Sequence, residues 1–351
     1  MLKCIFSKHW LIPIFIIASL AAYFTYQVGM ARFFWRDDFG VIPRYQQMAW
    51  WRPFISSYYQ GSGLRPLGSC AVWIMSNLFG YTLWPWKTIM AGLHAFNVIL
   101  LALVISRYQS KLLALLVAGI WAFLPQHIDA RTWAADLPCL VGALFALLAI
   151  FYWHSKPAKG LCFALAAILS KELFAPIGLA FLALDYLRAS RPRWRFILPV
   201  LFAGVCLLAF DGYQSRHGWL TTALESPNGG GLVQTSLRYW VLMTENRNAW
   251  GKTLAPMTVL AKPLSGLFVF LAIAILANRI SRALLIMTAA FWSTALIYFA
   301  PRYTYLASAM LLWLLAFALL TIYKALIYTP PPPLIEESDK EYSERILTSA
   351  W

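Results

Sequence analysis

Two adjacent carboxylates, Asp37 and Asp38, stand in Phe34-Trp35-Arg36-Asp37-Asp38-Phe39. Neighbouring carboxylates repel, so one holds its proton more tightly or the two share a cation. Such a pair suits a general base for an attacking hydroxyl, or a ligand set for a divalent metal such as Mg or Mn. The plainer alternative is an N-cap for the helix that follows.

Lys171-Glu172 is a second pair of opposite charge, set inside an otherwise apolar stretch. Charges at membrane depth are costly and mark function, although a buried ion pair can also hold neighbouring helices together. His127, Asp129, Arg131 and Asp136 gather around Trp133 in a short connector, either a solvated link or an active-site rim. Arg302, followed by Tyr303, is the charge of a late short turn, and it either snorkels or binds phosphate. Arg65 precedes a proline and offers a forked donor of the kind that fits phosphate oxygens. His94 and Asn97, three apart on one helix face, read as hydrogen bonds between helices.

The elements that must position these residues are membrane helices. Hydrophobic residues make up 61% of the 351 positions and charged residues only 12%, against about 25% charged in soluble domains. Apolar runs at 10–29, 88–106, 137–153, 265–277, 283–299 and 304–323 approach the roughly 20 residues that span a bilayer core. The first run is long and bulky, and it reads as a retained helix rather than a cleaved signal peptide. Seventeen Trp and seventeen Tyr fit interfacial aromatic belts. The five cysteines are scattered without metal or disulfide spacing and read as small packing residues.

Basic loops fix a topology, because short Lys- and Arg-rich loops stay cytoplasmic. With Lys3/Lys8, Arg107/Lys111, Lys156/Lys159, Arg188 to Arg195, Arg279/Arg282 and Lys324 inside, the chain zigzags through about ten helical segments with both termini cytoplasmic. Residues 161–187 must enter and leave on one side, which predicts two short helices meeting at Ser170-Lys171-Glu172, with Pro176 aiding the break. The organisation is then a transmembrane domain over 1–329 and a tail over 330–351 that is proline-rich, then acidic and cytoplasmic. Long outer loops span 30–87, with short juxtamembrane helices, and 212–264. The tail holds only two of the 29 basic residues but five of the 14 acidic ones. The body is therefore strongly basic, and its arginines recur in segments placed outside. That departure from the positive-inside rule calls for a bound anion, with attraction to lipid headgroups as the bland alternative. Membrane lipids and a phosphate-bearing substrate are the expected partners, and nucleic acid is not. Oligomeric state and the sugar stay open.

Taken in order, these pieces resemble the GT-C superfamily of integral membrane glycosyltransferases, and more closely its protein O-mannosyltransferase-like and transmembrane-TPR mannosyltransferase-like branch. Asp37-Asp38 resembles the acidic motif of its first outer loop, and Leu64-Arg65-Pro66-Leu67 its Arg-Pro-Leu element. Phe79-Gly80 with His94-Ala95-Phe96-Asn97, then Leu124-Pro125-Gln126-His127-Ile128-Asp129-Ala130, resemble the next two, with Asp129 where Glu is usual. Leu169-Ser170-Lys171-Glu172 and Arg302-Tyr303-Thr304-Tyr305 complete the series.

The resemblance implies an all-α polytopic bundle of GT-C type and a polyprenyl-phosphate monosaccharide donor, with inversion at the anomeric carbon. It implies Asp37, with Asp38, as the base, and Arg65, Lys171 and Arg302, with Arg131 weaker, as cations facing the departing phosphate. Glu172 would orient Lys171 or touch the sugar, and Tyr303 belongs to the donor-binding set. The acceptor is a glycan, lipid or protein, and the enclosing membrane is a bacterial inner membrane with the site facing the periplasm. The chain is close to a bare membrane core, which leaves the acceptor open. The rival readings are a flippase for a phosphate-bearing lipid, against which no internal repeat is found, and a polymerase or ligase using lipid-diphosphate glycans.

Overall fold

A computed structural model describes residues 9–34, 38–55, 65–124, 127–188 and 191–214, with short helical stretches between 282 and 320. Helices are the only regular elements among the described residues. In chain order they are α1 (Leu11–Arg32), α2 (Asp38–Gln46), α3 (Pro66–Phe79), α4 (Leu83–Ser106), α5 (Lys111–Phe123) and α6 (Ile128–Thr132). There follow α7 (Leu137–Tyr152), α8 (Pro157–Ser170), α9 (Ile177–Leu187) and α10 (Trp194–Gln214). Three single 3-10 turns, Arg52–Phe54, Ala134–Asp136 and Glu172–Phe174, link them.

Leu11–Arg32, Leu83–Ser106 and Ala134–Tyr152 are long and apolar enough to cross a membrane. The stretches Pro66–Phe79, Lys111–Phe123, Pro157–Ser170 and Trp194–Ala209 are apolar but shorter. The long loop expected over 30–87 is mostly helical: α1 runs on to Arg32, α4 begins at Leu83, and α2 and α3 lie between them. Most of the second long loop, the tail, and the runs at 265–277 and 292–299 fall outside the described residues.

Local chemistry explains the boundaries. Proline opens α3 (Pro66) and α8 (Pro157) and sits within the first residues of α7 (Pro138), where its missing N–H is not needed. Ser110 caps α5, its Oγ accepting from the Leu113 N–H at 3.2 Å. The break in 161–187 falls where the sequence places it. Helix α8 ends at Ser170, Lys171 is extended at φ −161° and ψ 139°, and α9 starts after Pro176. At about 1.5 Å per residue these two helices are some 21 and 16 Å long, each shorter than the roughly 30 Å bilayer core.

Small residues let the helices approach. The buried stripe of α1 is Ile14, Ala18, Ala21, Thr25 and Gly29, and it lies on α4. A Cβ on Gly29 would stand 3.0 Å from Cδ of Lys87, so this glycine makes room for the lysine stem. Gly68, near the start of α3, fits closely against a neighbouring backbone. A Cβ there would lie 2.2 Å from the Ser170 carbonyl oxygen and 2.7 Å from Pro138 Cβ. The head of α3 is thus pressed against the end of α8 and the beginning of α7, and this contact brings Arg65 to Lys171-Glu172.

Candidate functional site

The beginnings of α4, α7 and α9 and the ends of α5 and α8 meet at one end of the bundle, and most of the sequence-selected charges collect there. Arg65, immediately before α3, grips Glu172 with both arms of its guanidinium. Nε donates to Oε2 at 2.5 Å and Nη2 to Oε1 at 2.6 Å. Glu172 is fully buried, and Arg65 keeps a 15% exposed side chain. Bidentate, charge-assisted geometry of this kind is the strongest form of ion pairing.

Lys171 turns the other way. Its Nζ donates to Asp136 Oδ1 at 2.7 Å and to Cys139 Sγ at 2.9 Å, and all three residues are buried. Lys171 and Glu172 therefore do not pair with each other, and Glu172 does not orient Lys171. The extended backbone at Lys171 sends the two side chains to different neighbours, so each binds a partner from another segment.

Asp38 is the first residue of α2 and is fully buried. Its Oδ1 accepts the Ala135 N–H at 2.9 Å. Its charge acts on Lys87, a 1% exposed lysine near the start of α4 whose Nζ donates to the Thr132 carbonyl at 2.5 Å. Asp37 lies outside the described residues, as do Arg302 and Tyr303.

The short connector after α5 is divided rather than shared. Asp129 reaches Arg32 of α1 at 2.7 Å in a solvent-accessible pair. Arg131 turns inward, where Nη1 donates to the Ala122 carbonyl at 2.7 Å and Nη2 to that of Leu124 at 3.1 Å. It thereby satisfies the carbonyls that the end of α5 leaves unpaired. Burial pulls its guanidinium down to about 10. His127 is buried against the rings of Trp121 and Tyr305. Burial, and then the charge of Arg131, push its imidazole well below the usual range.

His94 and Asn97 bond between helices, as their spacing predicts. His94 meets the Ala122 carbonyl at 3.0 Å and the Tyr305 hydroxyl at 2.5 Å, and Asn97 donates to the Leu140 carbonyl at 3.1 Å. Tyr305 stands three residues beyond Arg302, so the late Arg-x-x-Tyr motif ends in the bundle beside His94, Trp121 and His127.

Three residues of this end escape a reading by sequence motif: Lys87, Cys139 and Tyr305 as a partner of His94. Lys87 carried one signal, a lone lysine behind Trp84-Pro85-Trp86 at the head of an apolar helix. Cys139 carried none, since a cysteine in an apolar run is usually packing. No group of three or more His, Cys, Asp or Glu side chains placed to hold a metal ion occurs among the described residues.

Searches of protein-family models, curated proteins and solved structures find no match to this chain.

Proposed function

We propose that the protein is an integral membrane glycosyltransferase of GT-C type, moving a monosaccharide from a polyprenyl-phosphate donor to an acceptor hydroxyl. The observation that carries this reading is the convergence of residues from four distant segments at one end of the bundle. Asp38, Arg65, Asp136 and Lys171-Glu172 meet there, all but Arg65 buried, in charge-compensated contacts. Glycosyl transfer from a lipid phosphate needs a carboxylate to take the acceptor proton and fixed cations to stabilise the departing phosphate. Carboxylates and cations of that kind are present together, in the order along the chain in which the motifs occur.

The orientation follows from the opposite end. Arg107, Lys156, Lys159, Arg188, Arg191 and Arg195 are exposed there, and the positive-inside rule puts them in the cytoplasm. The Asp136 end then faces the exterior or periplasm. In the proposed reaction Asp37 accepts the proton as the hydroxyl oxygen attacks the anomeric carbon, and the bond to the phosphate oxygen breaks with inversion. Arg65, Lys171 and Arg302 offset the charge gained by the leaving phosphate, and Glu172 holds Arg65 in place.

The test is an assay of purified protein in proteoliposomes with a polyprenyl phosphate carrying a tritiated hexose. The reading predicts release of free lipid phosphate, by transfer or slow hydrolysis, and loss of that release when Asp37 and Asp38 are both replaced by Asn. Full activity of the folded double variant, or movement of the lipid across the bilayer with its glycosyl bond intact, overturns it.

A further inference from the structure

Residues 132–136 join α6 to α7, and ionisable side chains from three other segments grip them. Lys87 of α4 holds the Thr132 carbonyl at 2.5 Å. Asp38 of α2 holds the Ala135 N–H at 2.9 Å. Lys171, after α8, holds the Asp136 carboxylate at 2.7 Å. The cation thus takes a backbone acceptor and the anion a backbone donor, on either side of Trp133-Ala134. Lys87 and Asp38 are both buried, at 1% and 0% exposure, and the Asp38 charge acts favourably on Lys87. Arg32 is the like charge that acts on Lys87. The glycine at position 29 admits the lysine stem.

We propose that Asp38 and Lys87 are a positioning pair that clamps residues 132–135 and so sets the Asp136–Lys171 ion pair. The acid of the Asp-Asp pair that serves the substrate is then Asp37. Asp136 follows the clamped stretch directly, so a shift of the Ala135 amide moves its carboxylate, and with it the ammonium of Lys171. Because the Asp38 charge acts on Lys87, removing one charge leaves the other less well compensated, whereas removing both does not. The catalytic part of this inference rests on the glycosyltransferase reading; the clamp does not.

Three variants test it: Lys87→Met, the nearly isosteric Asp38→Asn, which keeps an acceptor for the Ala135 amide, and the two combined. The first readout needs no activity. In a protein whose cysteines at 4, 70, 162 and 206 are serine, Cys139 reports on the Lys171 contact. Its labelling by a small maleimide should be slow in the parent, about tenfold faster or more in each single variant, and slower again in the double. The second readout is turnover of the polyprenyl-phosphate hexose. Each single change should lower kcat about tenfold or more with KM changed little, and the double should lose less than the product of the singles. Asp37→Asn should abolish turnover at the parent labelling rate, with no rescue by Lys87→Met. Labelling rates that are unchanged, or that multiply in the double, overturn the clamp. Abolition of turnover by Asp38→Asn at the parent labelling rate overturns the division of roles between the two aspartates. A parent protein that does not turn over the lipid leaves the labelling result to decide the clamp alone.

Discussion

The two ends of the bundle satisfy their buried charges in different ways. At the Asp136 end, carboxylates do it: Glu172 holds Arg65, Asp136 holds Lys171, and Asp38 compensates Lys87. At the opposite end the buried carboxylate of Asp185 sits beside Arg193, the Trp153 indole and the His154 ring. It accepts from Trp153 Nε1 at 2.8 Å and from the Arg193 amide at 3.0 Å, with the His154 ring and Arg193 Nε each 3.9 Å away. Arginines there also use rings and carbonyls. Arg193 donates to the Trp153 carbonyl, Arg107 lies over Phe151 and donates to its carbonyl, and Arg188 lies over Tyr108. Trp153 is itself stacked on Phe181 at 3.9 Å between centroids. Rings and carbonyls hold an arginine without using up its charge. Paired carboxylates instead fix cations in one geometry, which suits chemistry.

The largest effects should separate the two ends by what is lost. Glu172→Ala removes the carboxylate that Arg65 grips, and Asp185→Ala removes the acceptor of the Trp153 indole and the Arg193 amide. Each should cost about 3 kcal/mol of stability, the scale for breaking a buried pair or bond network. Only the Glu172 change should also abolish turnover per folded molecule. Melting temperature and turnover, measured on both variants, check this, and equal turnover losses would erase the distinction between the ends.

An effect of middle size comes from pH. Burial, followed by the charges of Arg188 and Arg193, pushes His154 down to about 4 from its ordinary 6.5. Between these values the unfolded chain binds the proton and the folded protein does not, so stability rises with pH across that window. It should therefore fall as pH drops from about 6.5 toward 4. His127, depressed by burial at the other end, contributes with the same sign. Melting curves compared from pH 7 to pH 4 should fall less steeply for His154→Gln than for the parent, by the His154 share of the loss.

The smallest effect is expected at Arg32–Asp129. Both side chains are solvent-accessible, at 36% and 46%, and their ion pair lies outside the buried network. Arg32→Ala should change stability by about 0.5 kcal/mol or less and leave turnover within about twofold. A loss comparable with that of Glu172→Ala would extend the functional network to the end of α1.

Much of the helical frame was legible in the residues. Apolar runs gave α1, α4 and α7 to within a few positions, because burial in hydrocarbon acts on local composition. The break at Ser170-Lys171-Glu172 was legible from charge and from Pro176, which cannot donate the backbone bond a continuous helix needs. The helix over 66–79 was expected only as one of the short helices of the first outer loop, without bounds, because a short apolar segment between loops carries no decisive length signal. The site was legible as a set of residues and illegible as a set of pairs. Lys171 and Glu172 are neighbours in sequence and look like one ion pair. Arg65 and Asp136, 107 and 35 positions from their partners, take one charge each.

The sequence by itself thus determined a membrane-embedded helical chain and the residues able to do chemistry in it. Partner choice belonged to the tertiary structure alone. An ion pair forms between side chains that helix packing brings within about 3 Å, and here Gly68 sets that packing by admitting α3 onto Ser170 and Pro138. The burial of Asp38 and Lys87 on either side of Trp133-Ala134 follows from the same contacts between helices, which no local pattern encodes.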